Sequence, residues 1–91
     1  MTITSTFVPA LRRGVRRQFD KARNVPILMA PEKIIVLDDI ADAILAECDA
    51  ASSVDDIIQR LSARFSAPAE EIRNDVMVFL QTLLDQGLIQ P

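Results

Sequence analysis

The sequence predicts an α+β domain in which an N-terminal three-stranded antiparallel sheet is followed by three helices. Three observations predict it. Short β-prone runs separated by tight turns fill residues 15–37. From Asp38 onward the apolar residues recur at three- and four-residue spacing. No linker divides the halves, since Leu37 closes one and Asp38 opens the other. With 91 residues, 49% hydrophobic and 25% charged, the chain has room for one soluble globular unit and little else.

Residues 1–8 show little periodicity and precede Pro9, which predicts a flexible lead-in, ordered only where something docks it, ahead of a single domain over 9–91. Val15 to Asp20 is the first strand, with Val15, Arg17 and Phe19 on one side and the arginine stem lying over apolar surface. Asp20 to Asn24 is a polar turn. Val25 to Met29 is the second strand, limited by Pro26 to an edge or to a strand's start. Pro31-Glu32 turns the chain into Lys33-Ile34-Ile35-Val36-Leu37, the strongest strand signal in the sequence.

Asp38 caps a first helix that runs through Cys48, with Leu37, Ile40, Ala41, Ile44, Leu45 and Cys48 on its stripe. Asp49-Ala50-Ala51-Ser52 breaks it. Ser53 and Asp56 have the layout of a capping box, although Asp56 is shorter than the usual Glu. The helix behind them buries Ile57, Ile58, Leu61 and Phe65. Pro68 opens a third helix with Glu70 and Glu71 at its positive end. Ile72, Val76, Phe79, Leu80, Leu83 and Leu84 form its stripe, Gly87 caps its end, and Leu88-Ile89 folds back on the core. Strands followed by helices of this size match the plan of a winged helix-turn-helix domain.

Composition excludes several kinds of chemistry. The chain has no histidine, one cysteine and two glycines. It therefore lacks a Ser-His or Cys-His nucleophile system, a Cys-rich metal site, an intrachain disulfide and a Gly-rich phosphate cradle. An enzyme is not expected, nor a cofactor. Cys48 lies on an apolar stripe with no base to activate it, which predicts an inert thiol in a reducing compartment, by default the cytoplasm. No signal peptide or membrane span is predicted. The pairs Asp38-Asp39, Asp55-Asp56 and Glu70-Glu71 sit where helix N-termini are predicted, so capping explains them without catalysis.

The formal net charge of -3 conceals an asymmetry. Residues 1–33 carry seven Lys/Arg against Asp20 and Glu32, and the remainder carries three arginines against eleven acids. The basic front includes Arg12, Arg13, Arg16 and Arg17, a candidate partner surface or a solvated face. A winged-helix nucleic-acid-binding module is the principal alternative function. Against it, the third helix carries Arg73 alone against Glu70, Glu71, Asp75 and Asp85, which would bring negative charge against phosphate. An acyl carrier would need an Asp before Ser52 or Ser53 in an Asp-Ser-Leu-like site, which is missing. The strand Lys33–Leu37 is apolar on both faces. At a sheet edge it would accept another strand, from a peptide or a second copy, and in the sheet's centre it would simply be flanked. Both arrangements fit the sequence, and the N-terminal segment offers a second route to a homodimer.

The order and spacing of Pro9, Leu11, Arg13-Gly14, Arg16, Asp20, Arg23, Leu28, Pro31-Glu32, Leu37, Ile44-Leu45, Cys48-Asp49, Asp75-Val76, Phe79-Leu80 and Gly87-Leu88 resemble the PqqD proteins of pyrroloquinoline quinone (PQQ) biosynthesis. The resemblance covers Pro9 to Leu88. Ala50 departs from it, standing where the family usually has glycine, so a positive φ there would strain the turn. The resemblance implies a peptide chaperone that binds the precursor peptide PqqA and presents it to the radical SAM enzyme PqqE. It further implies a precursor held as an added strand beside the third strand, in a groove walled by the third helix. Carried to this sequence, the groove comprises Lys33, Ile34, Ile35, Val36 and Leu37, with Arg73, Val76, Met77 and Leu80 opposite.

Overall fold

A computed structural model describes residues 1–90; Pro91, the last residue of the expected domain, lies outside the described residues. The element order is β1 (Ala10–Leu11), β2 (Arg16–Asp20), β3 (Val25–Ala30), β4 (Lys33–Val36), α1 (Asp39–Ala46), α2 (Val54–Phe65), α3 (Ala69–Asp85) and β5 (Ile89–Gln90). The three expected strands are β2, β3 and β4, in the antiparallel order β2-β3-β4. The α+β plan and its three helices are as predicted. The ribbon β1-β5, which pairs Leu11 with Ile89, is an addition that two-residue strands cannot announce in a sequence.

Local chemistry sets the turns. Asp20 accepts hydrogen bonds from the N–H groups of Ala22 and Arg23, and Asn24 takes the left-handed conformation that closes the β2-β3 turn. Pro31-Glu32 is the two-residue link between Ala30 and Lys33, which pair across it. Pro26 stands second in the central strand, at the strand's start. Its carbonyl accepts from Leu37 N–H at 3.0 Å, so the N–H it lacks would have faced Leu37, just where β4 ends.

The helices begin as expected and end slightly differently. Asp38 accepts from Ala41 N–H and caps α1. That helix stops at Ala46, two residues before Cys48, because Glu47 and Cys48 donate to carbonyls three residues back and tighten the last turn. The short Asp56 does complete the capping box: Ser53 N–H donates to its carboxylate, and its own N–H donates to Ser53 Oγ. Phe65 does not join the core as expected. It is exposed, with the Arg64 guanidinium 5.3 Å from its ring centre. Gly87 adopts φ 74°, Leu88 N–H donates to Leu83 O and Gly87 N–H to Leu84 O, so α3 ends in a Schellman motif that returns Leu88 and Ile89 to the core.

One core unites these pieces. Leu28 and Leu37 from the sheet meet Ile44, Ile57, Leu61, Val76 and Leu80 from the three helices. Residues 1–8, expected as a lead-in awaiting a dock, are docked by the chain itself. Ile3 and Phe7 are buried, the carbonyls of Ser5 and Phe7 accept from Asp55 and Val54 N–H at the start of α2, and Ile3 N–H donates to Gln81 on α3. The first-turn donors of α2 thus find partners that no amphipathic pattern reveals.

The α1-α2 link is fixed by a polar network. Asp49 accepts from the N–H groups of Ala51 and Ser52, which hold its carboxyl below the ordinary carboxylate range. Buried Ser52 donates to Asp49, and Arg60 bridges Ser52 and Glu47. This geometry forces Ala50 to φ 62°, a conformation glycine adopts without a Cβ penalty. Ala50→Gly is therefore expected to raise stability by about 0.5 kcal/mol, the steric relief outweighing the added unfolded-state entropy, and to raise the melting midpoint by a few degrees. Thermal denaturation followed by circular dichroism checks it, and a lowered midpoint would refute the strain.

Candidate functional site

The site begins at the free side of β4. This strand pairs with β3 through Ile27↔Val36, Leu28↔Ile35, Met29↔Ile34 and Ala30↔Lys33, and no described strand pairs with its other side. Of the two placements the sequence allowed, the structure has the edge. Backbone groups alternate along an antiparallel ladder. Because Leu37 N–H bonds Pro26 O, the N–H and C=O of Ile35 also face β3, whereas those of Ile34 and Val36 face outward. Two donors and two acceptors are thus presented on an edge whose side chains, Ile34 and Val36, are 48% and 57% exposed. Natural edges are usually guarded by charge, proline or a bulge, and within this strand only Lys33 serves so.

Beyond the end of β4 lies a cleft of about 400 Å³ between α1 and α3. Ile40, Ala41 and Ile44 line it from α1, and Val78 and Phe79 from α3, with Asp38, Asn74, Asp75 and Thr82 around them. Val78 is 60% exposed, unusual for a valine in mid-helix with a completed core behind it. Asp38, which lines this cleft, follows Leu37 directly, so the cleft opens where the β4 edge ends.

The predicted groove residues are divided by the structure. Lys33, Ile34 and Val36 are exposed at the edge, Ile35 is half-buried against the core, and Leu37 is buried in it. The four expected on α3 are not brought together. Val76 and Leu80 are fully buried, and Arg73 ion-pairs with Asp55 of α2 at 3.0 Å. Met77 faces a second hollow with Thr2, Ile3 and Gln81, beside the docked N-terminal segment. The α3 face that reaches the cleft is instead Asn74, Asp75, Val78, Phe79 and Thr82, about half a turn around the helix. A signal for it exists in the sequence: Val76-Met77-Val78-Phe79-Leu80 is apolar on every side, and a helix half-turned to solvent can bury only part of such a run.

The basic residues lie elsewhere. Arg12, Arg13 and Arg16 are exposed and unpaired among the described residues, while Arg17 bonds Asp42 of α1 at 2.8 Å. The α3 start presents Glu70, Glu71 and Asp75 to solvent. No cluster of three metal-ligating side chains occurs among the described residues, and no helix among them is long and apolar enough to cross a membrane.

Cys48 is not poised for chemistry. Its Sγ–H donates to Ile44 O at 3.3 Å, and burial, reinforced by Asp49 and Glu47, pushes the thiol up to about 12. At pH 8 roughly one molecule in 10,000 carries the thiolate, so iodoacetamide is expected to leave the folded protein unmodified over hours and to label it rapidly in denaturant. Mass spectrometry checks this; rapid labelling under native conditions would contradict the burial.

The profile for coenzyme PQQ synthesis protein D (PqqD) matches residues 27–89. A PqqA binding protein of Xanthomonas campestris is 43% identical over 89 residues, covering 98% of this chain and 97% of that protein. One from Rhodopseudomonas palustris is 39% identical, covering 98% and 87%. Among solved structures, the chain resembles the solution NMR structure of the PqqD truncation of Methylobacterium extorquens PqqCD, a stand-alone RiPP recognition element. That likeness has a TM-score of 0.86 at 34% identity, over 99% of this chain and 96% of that one. The crystal structure of PqqD from Xanthomonas campestris is similar at TM-score 0.63 and 42% identity, over 99% and 100%.

Proposed function

The chain belongs to the PqqD family, and from that membership we propose that it binds the precursor peptide PqqA in PQQ biosynthesis, in the cytoplasm, and presents it to the radical SAM enzyme PqqE without catalysing a reaction itself. The observation that carries the reading is the open β4 edge: two outward N–H and C=O pairs beside apolar side chains, continuous with an apolar cleft. The PqqA binding proteins and the RiPP recognition element to which the chain is similar support the same peptide class.

The peptide adds as a fourth strand. Ile34 and Val36 exchange main-chain hydrogen bonds with it, which supplies affinity with little demand on sequence. Selectivity comes from side chains. Those pointing to one face of the enlarged sheet lie beside Ile34 and Val36, and a segment running on past Leu37 seats an apolar side chain between Ile40, Val78 and Phe79. Capture in this form leaves the rest of the peptide extended and accessible, which suits a protein that hands a substrate on. A recognition helix in DNA is the poorer reading, since Glu70, Glu71 and Asp75 would approach phosphate.

Proline substitution separates the edge from the fold. Val36→Pro removes an outward N–H without touching the β3 ladder and is expected to weaken PqqA binding about tenfold, whereas Val36→Ala, which keeps the donor, weakens it less. Fluorescence anisotropy with labelled PqqA reads both. Unchanged affinity in a folded Val36→Pro variant would place the peptide elsewhere. Val78→Glu, at an exposed position, is expected to weaken binding by a similar factor through the cleft alone.

A further inference from the structure

We propose that the hollow between α3 and the N-terminal segment is a second subsite for the precursor peptide, taking an apolar side chain beyond the one seated in the α1-α3 cleft. The hollow holds about 390 Å³ and is lined by Thr2, Ile3, Met77, Val78, Gln81 and Thr82. Val78 and Thr82 also line the cleft. The two depressions are therefore one surface, divided only by the crest that Val78 forms on α3. At about 100° per residue, Asp75 and Phe79 fall on the cleft's side of that crest, and Met77 and Gln81 on the other.

The far wall is made by the first residues of the chain, and α3 holds them there. Gln81 Oε1 accepts from Ile3 N–H at 2.9 Å, while Gln81 Nε2 donates to Met1 O at 3.0 Å and to Asp85 Oδ1 at 2.9 Å. Ile3 is buried, Met77 is half-buried, and Thr2 and Val78 are exposed. A side chain seated against Ile3, Met77 and Val78 takes apolar surface of both partners out of water. No charged side chain lines the hollow, so it selects an apolar residue over a charged one.

The subsite deepens the peptide binding proposed above and rests on it. A peptide paired to β4 and seated in the cleft needs about three further extended residues to cross the roughly 10 Å width of α3. Continuity with the cleft identifies the occupant as that same peptide, and it sets the spacing between two apolar residues of the precursor. Gln81 is a positioning residue, since it keeps Thr2 and Ile3 in place as the wall.

Titration of full-chain variants with labelled PqqA tests this. Thr2→Glu and Met77→Glu each put a charge into the hollow and are expected to weaken binding about fivefold. Gln81→Leu releases the wall and is expected to weaken it by a similar factor. Combined with Thr2→Glu it adds little, because both act on one subsite. In the methyl-labelled protein, nuclear Overhauser effects from PqqA are expected at Ile3 and Met77 as well as at Ile34 and Val78. Unchanged affinity in Thr2→Glu and Met77→Glu, full additivity of Gln81→Leu with Thr2→Glu, or Overhauser effects that stop at Val78 overturns the subsite. So does a second copy occupying the hollow in place of the peptide, seen by sedimentation. If Val36→Pro loses binding and these variants do not, the subsite falls and the β4 reading stands. Failure of the unsubstituted protein to bind PqqA overturns both.

Discussion

The open side of β4 is the constraint on which the rest depends. A strand with one neighbour leaves alternate backbone groups unpaired, and the Leu37–Pro26 bond decides which ones: Ile35 is committed to β3, and Ile34 and Val36 are not. The same alternation sends Ile35 toward the core and leaves Ile34 and Val36 in solvent. One register therefore fixes the available donors, the apolar side chains beside them and the face they share with Met29 and Ile27. A shift of one residue would reverse all of these.

The remainder of the chain holds that edge open and rigid. Leu37 anchors β4 in the core, and Asp38 turns at once into α1, so the end of the edge is carried straight to the α1-α3 cleft. Val76 and Leu80 seat α3 from beneath, while Ile3 and Gln81 tie the N-terminal segment along its flank. The Asp49–Ser52–Arg60 network and the β1-β5 ribbon close the other side. Nothing in this arrangement requires a reactive group, and the buried thiol of Cys48 supplies none.

Much of the fold was legible because its signals are local. Asp38, Ser53 with Asp56, Pro31-Glu32 and Gly87 each act within four residues, and helical periodicity is read over a single element. The strain at Ala50 was legible as well, through the family's preference for glycine, and its φ of 62° agrees. What escaped depends on distant partners. The burial of Ile3 and Phe7 needs α2 and α3 in place, and β1 needs β5 from the far end of the chain. The α3 residues expected in the groove divide between core and surface because Val76 and Leu80 belong to the same apolar run as Val78 and Phe79. Hydrophobicity alone does not divide that run between core and cleft; the rotation of the packed helix does.

Amide hydrogen exchange tests the central claim most directly, because it reads the edge bond by bond. In the free protein the N–H groups of Ile34 and Val36 should exchange rapidly while those of Ile35 and Leu37, bonded to β3, are slow. With saturating PqqA the first two should become protected and the alternation along β4 should disappear. Rapid exchange at Ile34 and Val36 in the saturated complex would contradict strand addition at this edge.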